Sequence, residues 1–160
     1  MIRECVIIRR IHANELYRVY EIETKSFSRE AYPFNLFYFY YLLARDLFLV
    51  AEFLGKTIGY AIGVIEEKNG FCYGHVISIA VEPLYRGFGV GEKLMLCLED
   101  RMRGYGASKV YLEVRVDNEP AISLYKKLGY RIIDRIRGYY YGEVDAYVMA
   151  KNIRQTYTTH

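Results

Sequence analysis

The sequence predicts an α/β protein of the α+β kind, with a central mixed, mostly antiparallel sheet of about seven strands flanked by about four helices. Three observations lead there. Apolar runs of strand and helix period follow one another in the order β-α-α-β-β-β-α-β-α-β-β. Two tight-turn signals, Leu54-Gly55-Lys56 and Lys68-Asn69-Gly70, separate three consecutive strand-like runs and make them antiparallel. A strand ending at Val81 then leads through a glycine-rich turn into an amphipathic helix and a further strand. Such a βαβ passage pairs its strands in parallel through a right-handed crossover.

The elements follow in order. Cys5–Arg9 reads as an edge strand, and Asn14 as the N-cap of a helix running to Thr24. Residues 25–34 form a loop broken by Pro33, and Asn35 is expected to cap an apolar helix to Arg45. Leu47–Phe53, Thr57–Glu66 and Phe71–Val81 are the three hairpin-linked strands. A helix from Glu92 to Arg103 ends at Gly104-Tyr105-Gly106, and Lys109–Val116 is the strand after it. Asn118 caps a short helix with Pro120 in its first turn, and Gly129 terminates it. Tyr130–Arg137 and Glu143–Ala150 form a last pair of strands about the Gly138–Gly142 connection. Residues 1–153 are expected to be a single domain, with 154–160 a polar tail.

Composition narrows the function classes. With 160 residues, 52% of them hydrophobic, the chain can bury one sizeable core. A net charge of +3, with the arginines dispersed, gives no basic stripe for nucleic acid. No uncharged apolar run reaches membrane-spanning length, and the N-terminus lacks the pattern of a signal peptide. Cys5, Cys72 and Cys97 are odd in number and lack CxxC spacing, so neither a disulfide framework nor a metal site is expected. The expected compartment is the cytoplasm. The unusual feature is aromatic content: 18 Tyr and 8 Phe with no Trp, five of these aromatics forming the run Phe37–Tyr41, with Phe34 just before it. That run is core, or a surface for substrate or partner; the chain is expected to be a monomer or a homodimer.

The most informative stretch is Val81–Gly91, V-E-P-L-Y-R-G-F-G-V-G. A strand, a turn with Gly87, Gly89 and Gly91, and a helix N-terminus gather backbone N–H groups at the positive end of a helix dipole, a ready site for a diphosphate. Glycine lets phosphate oxygens approach, and Arg86 could add a charged contact. Arg86, Gly89 and Gly91 stand at the spacing R-x-x-G-x-G, which resembles the acetyl-coenzyme A signature of the GNAT acetyltransferases. Leu112–Tyr130, L-E-V-R-V-D-N-E-P-A-I-S-L-Y-K-K-L-G-Y, is similar to the strand–helix segment of ribosomal-protein alanine N-acetyltransferases. G-H-V-I-S-I-A-V at Gly74–Val81 and G-Y-Y-Y-G-E-V-D-A-Y-V-M at Gly138–Met149 resemble archaeal and eukaryotic N-alpha-acetyltransferase catalytic subunits. E-A-Y-P at Glu30–Pro33 is similar to their first loop, with Ala31 in place of Asn.

The resemblance implies a GNAT fold with a splayed parallel pair at the acetyl-CoA site. It also implies transfer of acetyl from acetyl-CoA to the free α-amino group of protein N-termini, ribosomal or nascent chains among them. Alternation puts Glu113 on the face opposite Val110, Leu112, Val114 and Val116, where a carboxylate either pairs with a basic neighbour or is functional. The resemblance makes Glu113 the base, with His75 on the neighbouring strand as second base or water-holder. Tyr125 becomes the acid for the departing thiolate. Ile79, Ala80 and Val81 are to hold the thioester carbonyl and pantetheine arm. Arg86, Gly87, Phe88, Gly89, Val90, Gly91 and Glu92 would form the diphosphate turn, with Asn118 and Tyr125 completing the cofactor side. Glu30 and Tyr32 in the first loop, and Tyr139 and Tyr140 in the last, are to line the peptide. Two other readings stand beside this one: a GNAT acting on lysine side chains or small amines, and a non-catalytic coenzyme A-binding module.

Overall fold

A computed structural model gives the structure and describes residues 1–153; the expected polar tail, 154–160, lies outside the described residues. The strands are β1 (Ile7–Arg10), β2 (Phe48–Phe53), β3 (Lys56–Lys68), β4 (Phe71–Val81), β5 (Lys109–Arg115), β6 (Arg131–Tyr140) and β7 (Val144–Asn152). The helices are α1 (Ile2–Cys5), α2 (Leu16–Phe27), α3 (Phe34–Leu43), α4 (Val90–Gly104) and α5 (Glu119–Lys127). The sheet has seven strands in the order β1-β2-β3-β4-β5-β7-β6. β4 and β5 run parallel, while β1–β2, β2–β3, β5–β7 and β6–β7 are antiparallel. The fold class is therefore the expected one, with a one-turn helix α1 added at the start.

The described chain gathers into two compact units, one of 1–64 and 77–101, the other of 65–76 and 102–153. In the first, α2 buries Leu16, Val19, Ile22 and Glu23, one stripe at helical spacing. β2 is buried from Phe48 through Ala51 and β3 from Thr57 through Gly63, so both faces of these strands are covered. Phe37 of α3 packs its ring against Phe48 and Tyr60 at centroid distances of 6.5 and 5.9 Å. The rest of α3 is less enclosed: Tyr38, Phe39, Leu42 and Leu43 are exposed. At the end of β4, Glu82 takes Arg18 at 2.8 Å and Lys25 at 3.1 Å, joining α2 to the strand.

In the second unit β5 alternates, with Val110, Leu112 and Val114 buried between half-buried neighbours. A Cβ at Gly74 would collide with the Met102 sulfur, so glycine is needed there. Ile153 ends the described chain tied down, its N–H on Ser108 and its carbonyl under Arg103 at 2.6 Å. The edge strand β6 is exposed through residues 131–137, where Arg131, Asp134, Arg135 and Arg137 guard it against pairing with another chain.

Several local expectations shift. Asn14 lies within a 3-10 turn, Ala13–Glu15, rather than capping α2. The His12 N–H is instead taken by the Glu15 carboxylate at 2.8 Å. Pro33 occupies the N-cap of α3 and Asn35 falls inside the helix. β6 continues through Tyr139 and Tyr140, past the irregularity at Gly138 (φ 62°), so these tyrosines sit on a strand and not in a connecting loop.

Candidate active site

The second unit carries a compact titratable cluster. Parallel pairing sets His75 beside Tyr111 in register, and alternation carries Tyr111, Glu113 and Arg115 on the face opposite the buried valines and leucine. His75 Nε2 lies 2.7 Å from Glu113 Oε2, and Nδ1 lies 2.9 Å from Glu66 Oε1. The Tyr111 hydroxyl donates to the second oxygen of Glu66, and its ring stacks on the imidazole at 4.2 Å and 12°. A neutral imidazole can donate to only one of two carboxylates. Burial alone would lower the His75 pKa, but the hydrogen bonds and charges of Glu113 and Glu66 outweigh it and raise it above the ordinary value. Glu66 itself is held below the usual carboxylate range: burial works against this, and the Tyr111 hydroxyl and His75 override it.

Glu113 and His75 thus meet as expected. Glu66 and Tyr111 are the members sequence reasoning missed. Tyr111 had a signal, since it shares the Glu113 face. Glu66, in the pair Glu66-Glu67 next to a turn, looks like any solvated strand end. Tyr139 joins the group, its phenol raised by burial and by the charge of Glu113. Tyr140 meets Tyr139 edge-on at 4.9 Å, with the Arg115 guanidinium 5.6 Å from the Tyr140 ring centroid. On α5, the Asn118 side chain accepts the Ala121 N–H at 3.3 Å as a true N-cap. Tyr125 is buried, its ring edge-on to Tyr130 at 5.9 Å, and burial drives its phenol pKa up.

The first unit carries the glycine turn. After β4, residues Pro83–Tyr85 make a 3-10 turn, and Gly87 and Gly89 adopt φ of 85° and 81°. Both values lie in the left-handed region where a side chain is strained. Around Gly87 a Cβ would meet nothing within 4 Å, whereas at Gly89 it would meet the Arg3 side chain at 3.0 Å, so the turn is open at Gly87 and covered by Arg3 at Gly89. Val90 starts the 15-residue α4, with Gly91 and Glu92 in its first turn, where helix N–H groups lack intrahelical partners. Arg86 braces this turn, its Nε on the Val81 carbonyl at 2.9 Å and its Nη2 on Ser26 Oγ at 3.0 Å. Phe88 is exposed on the turn, while Ala80 is buried between half-buried Ile79 and Val81. Tyr32 follows the short turn Ser28–Glu30 and donates its backbone N–H to Glu23 at 3.2 Å.

A glycine turn at the start of a long helix suits a diphosphate, and a histidine between carboxylates suits proton removal from an amine. Together with the mixed sheet these define an acyl-transfer scaffold. The profile of the acetyltransferase (GNAT) family matches residues 15–130, and the chain belongs to that family. An N-alpha-acetyltransferase of Sulfurisphaera tokodaii is 42% identical over 132 residues, covering 76% of this chain and 78% of that protein. The catalytic subunit NAA20 of the N-terminal acetyltransferase B complex of Arabidopsis thaliana is 38% identical, covering 90% and 83%. The crystal structure of Ard1 from Thermoplasma volcanium superposes with a TM-score of 0.86 at 27% identity, covering 94% of this chain and 99% of that one. The protein is accordingly an acetyl-CoA-dependent acyltransferase. Among the described residues no group of three or more His, Cys, Asp or Glu could hold a metal ion, and no helix is long and apolar enough to cross a membrane.

Proposed function

We propose that this protein acetylates the free α-amino group of protein N-termini, by direct attack of the amine within a ternary complex. The observation that carries the reading is the Glu113–His75 contact of 2.7 Å, with Glu66 behind the imidazole. An α-amino group, with a pKa of about 7.7–8.0, is roughly 10–20% unprotonated at pH 7, against roughly 0.04% for lysine at about 10.4. A base of modest strength is therefore enough for an N-terminus. Glu113, directly or through a water, takes the amine proton, and His75 accepts it onward. Glu66 and Tyr111 hold the imidazole in place.

Acetyl-CoA supplies the activated acetyl group when bound. Gly87, Phe88, Gly89, Val90, Gly91 and Glu92, braced by Arg86, would hold its diphosphate, with Ile79, Ala80 and Val81 along its arm and Asn118 near it. Tyr125, whose burial keeps its phenol protonated, is the proton source for the leaving group. Glu30 attracts the cationic N-terminus, and Tyr32, Tyr139 and Tyr140 line the first peptide residues. The named relatives support this substrate class, since both are N-terminal acetyltransferases by name.

The test is steady-state transfer from acetyl-CoA to short peptides varied at their first two residues, alongside spermidine and an N-blocked lysine peptide. Turnover is expected on free N-termini alone, with kcat/KM down about 100-fold in Glu113→Gln, the usual scale for losing a general base. Turnover only on lysine or spermidine would replace the reading with a side-chain or small-amine acetyltransferase. Tight cofactor binding without transfer would leave a binding module.

A further inference from the structure

The first unit hides a carboxyl that the proposed chemistry does not use. Glu23 sits on the core stripe of α2 and is 1% exposed. A buried carboxylate is costly unless its oxygens are well hydrogen-bonded. The bonds recorded to Glu23 come from neutral donors, and its two oxygens divide the work. Oε2 takes the hydroxyls of Tyr60 on β3 and Ser78 on β4, the latter at 3.1 Å, and these hydroxyls lie 3.0 Å from each other. Oε1 takes the backbone N–H of Tyr32 at 3.2 Å. The pair of hydroxyls therefore fixes the carboxyl plane and aims the other oxygen at the segment joining α2 to α3.

That segment needs an anchor. It leaves α2 through Ser28 at φ 46° and ψ −112°, a positive-φ conformation that serine adopts only at some cost. It carries Glu30 and Tyr32, while Ser78 directly precedes the Ile79–Val81 stretch of β4. One side chain thus ties the loop assigned to the peptide to the strand assigned to the cofactor arm.

We propose that Glu23 is a positioning residue that sets the Glu30–Tyr32 loop for the incoming peptide without touching substrate. The inference rests on the reading of that loop as the peptide side. It separates geometry from charge: a Gln can keep its carbonyl on the Tyr32 N–H while its amide donates to the two hydroxyls, whereas a Leu fills the space and offers no acceptor.

The experiment compares wild type, Glu23→Gln and Glu23→Leu for peptide KM, acetyl-CoA KM, kcat and hydrogen exchange over residues 28–33. Glu23→Leu is expected to raise peptide KM about tenfold and speed exchange in the segment about tenfold, the scale of one unsatisfied buried donor. Acetyl-CoA KM should stay within about twofold, and Glu23→Gln should restore peptide KM to within about threefold, by the same scale. Should the Leu variant fail to fold, Tyr60→Phe, which removes one of the two hydroxyls, is expected to raise peptide KM about threefold with exchange following. A folded Leu variant with wild-type peptide KM and exchange overturns the proposal, as does an equal loss in both KM values and in thermal stability. If wild type acetylates no free N-terminus, the function reading fails, and the exchange measurement alone then decides whether Glu23 holds the loop.

Discussion

At the scale of single residues, chemistry turns on partners that sequence spacing does not display. Glu113 and His75 are legible from strand alternation and the likeness of Gly74–Val81 and Leu112–Tyr130 to known acetyltransferases. Glu66 is 9 residues from His75 across a turn, and only the register of β4 against its neighbours brings its carboxylate to Nδ1. The consequence is a shifted working range. His75 is raised by its carboxylate partners, so it becomes a free base only as pH climbs past that raised value. Glu66→Gln removes one of the two charges that raise it. The acid limb of kcat/KM against pH should therefore move to lower pH in that variant. A profile superposable on wild type would take Glu66 out of the proton path. Glu113→Gln, in contrast, should lower the plateau itself, because it deletes the group proposed to meet the amine.

At the scale of elements, the turn between β4 and α4 was readable because glycine at positive φ has a local cause, and the structure realises it at Gly87 and Gly89. Gly87→Ala puts a Cβ into open space but onto a backbone at φ 85°. It should cost about 1 kcal/mol of stability. It should also raise acetyl-CoA KM about tenfold with little change in peptide KM, a split read directly from two-substrate kinetics; this rests on the turn reading, tenfold being 1.4 kcal/mol. Caps were less readable. Asn118 does cap α5, yet Asn14 and Asn35, of the same residue type, lie inside helical turns while Glu15 and Pro33 take the terminal positions. A cap preference is worth only about 1 kcal/mol, so packing of the Leu16–Val19–Ile22 stripe and the Phe37 ring decides where each helix starts. The same competition extended β6: its two tyrosines pair onward past Gly138, with Tyr140 opposite Val144.

For the molecule as a whole, the shifted groups act in two directions, and their sum predicts how stability follows pH. Glu15, Glu66 and Glu82 are all held low; burial opposes this, and their hydrogen-bonded cations and hydroxyls prevail. A depressed carboxylate adds stability above its unfolded pKa of about 4.3 and loses it as pH falls toward its folded value. His75 is raised, so its share is complete below about 6.5 and fades as pH rises through its folded pKa. Glu23 is pushed up to about 7 by burial, against the pull of the Tyr32 N–H and the Ser78 hydroxyl. Its protonated form therefore belongs to the folded state, and stability is lost as pH rises from about 4.3 toward 7. The two trends meet at about pH 5, where the low carboxylates are ionised, His75 is charged and Glu23 has given up little of its share. The thermal midpoint should fall between pH 6 and 8, and part of that fall should vanish in Glu23→Gln, which has no proton to lose. A wild-type midpoint that climbs through this interval, or a Gln variant with the same slope, would mean that the buried carboxyl is ionised in the folded protein at acidic pH. The hydroxyl pair and the Tyr32 N–H would then solvate the charge on Glu23 more fully than its burial penalises it.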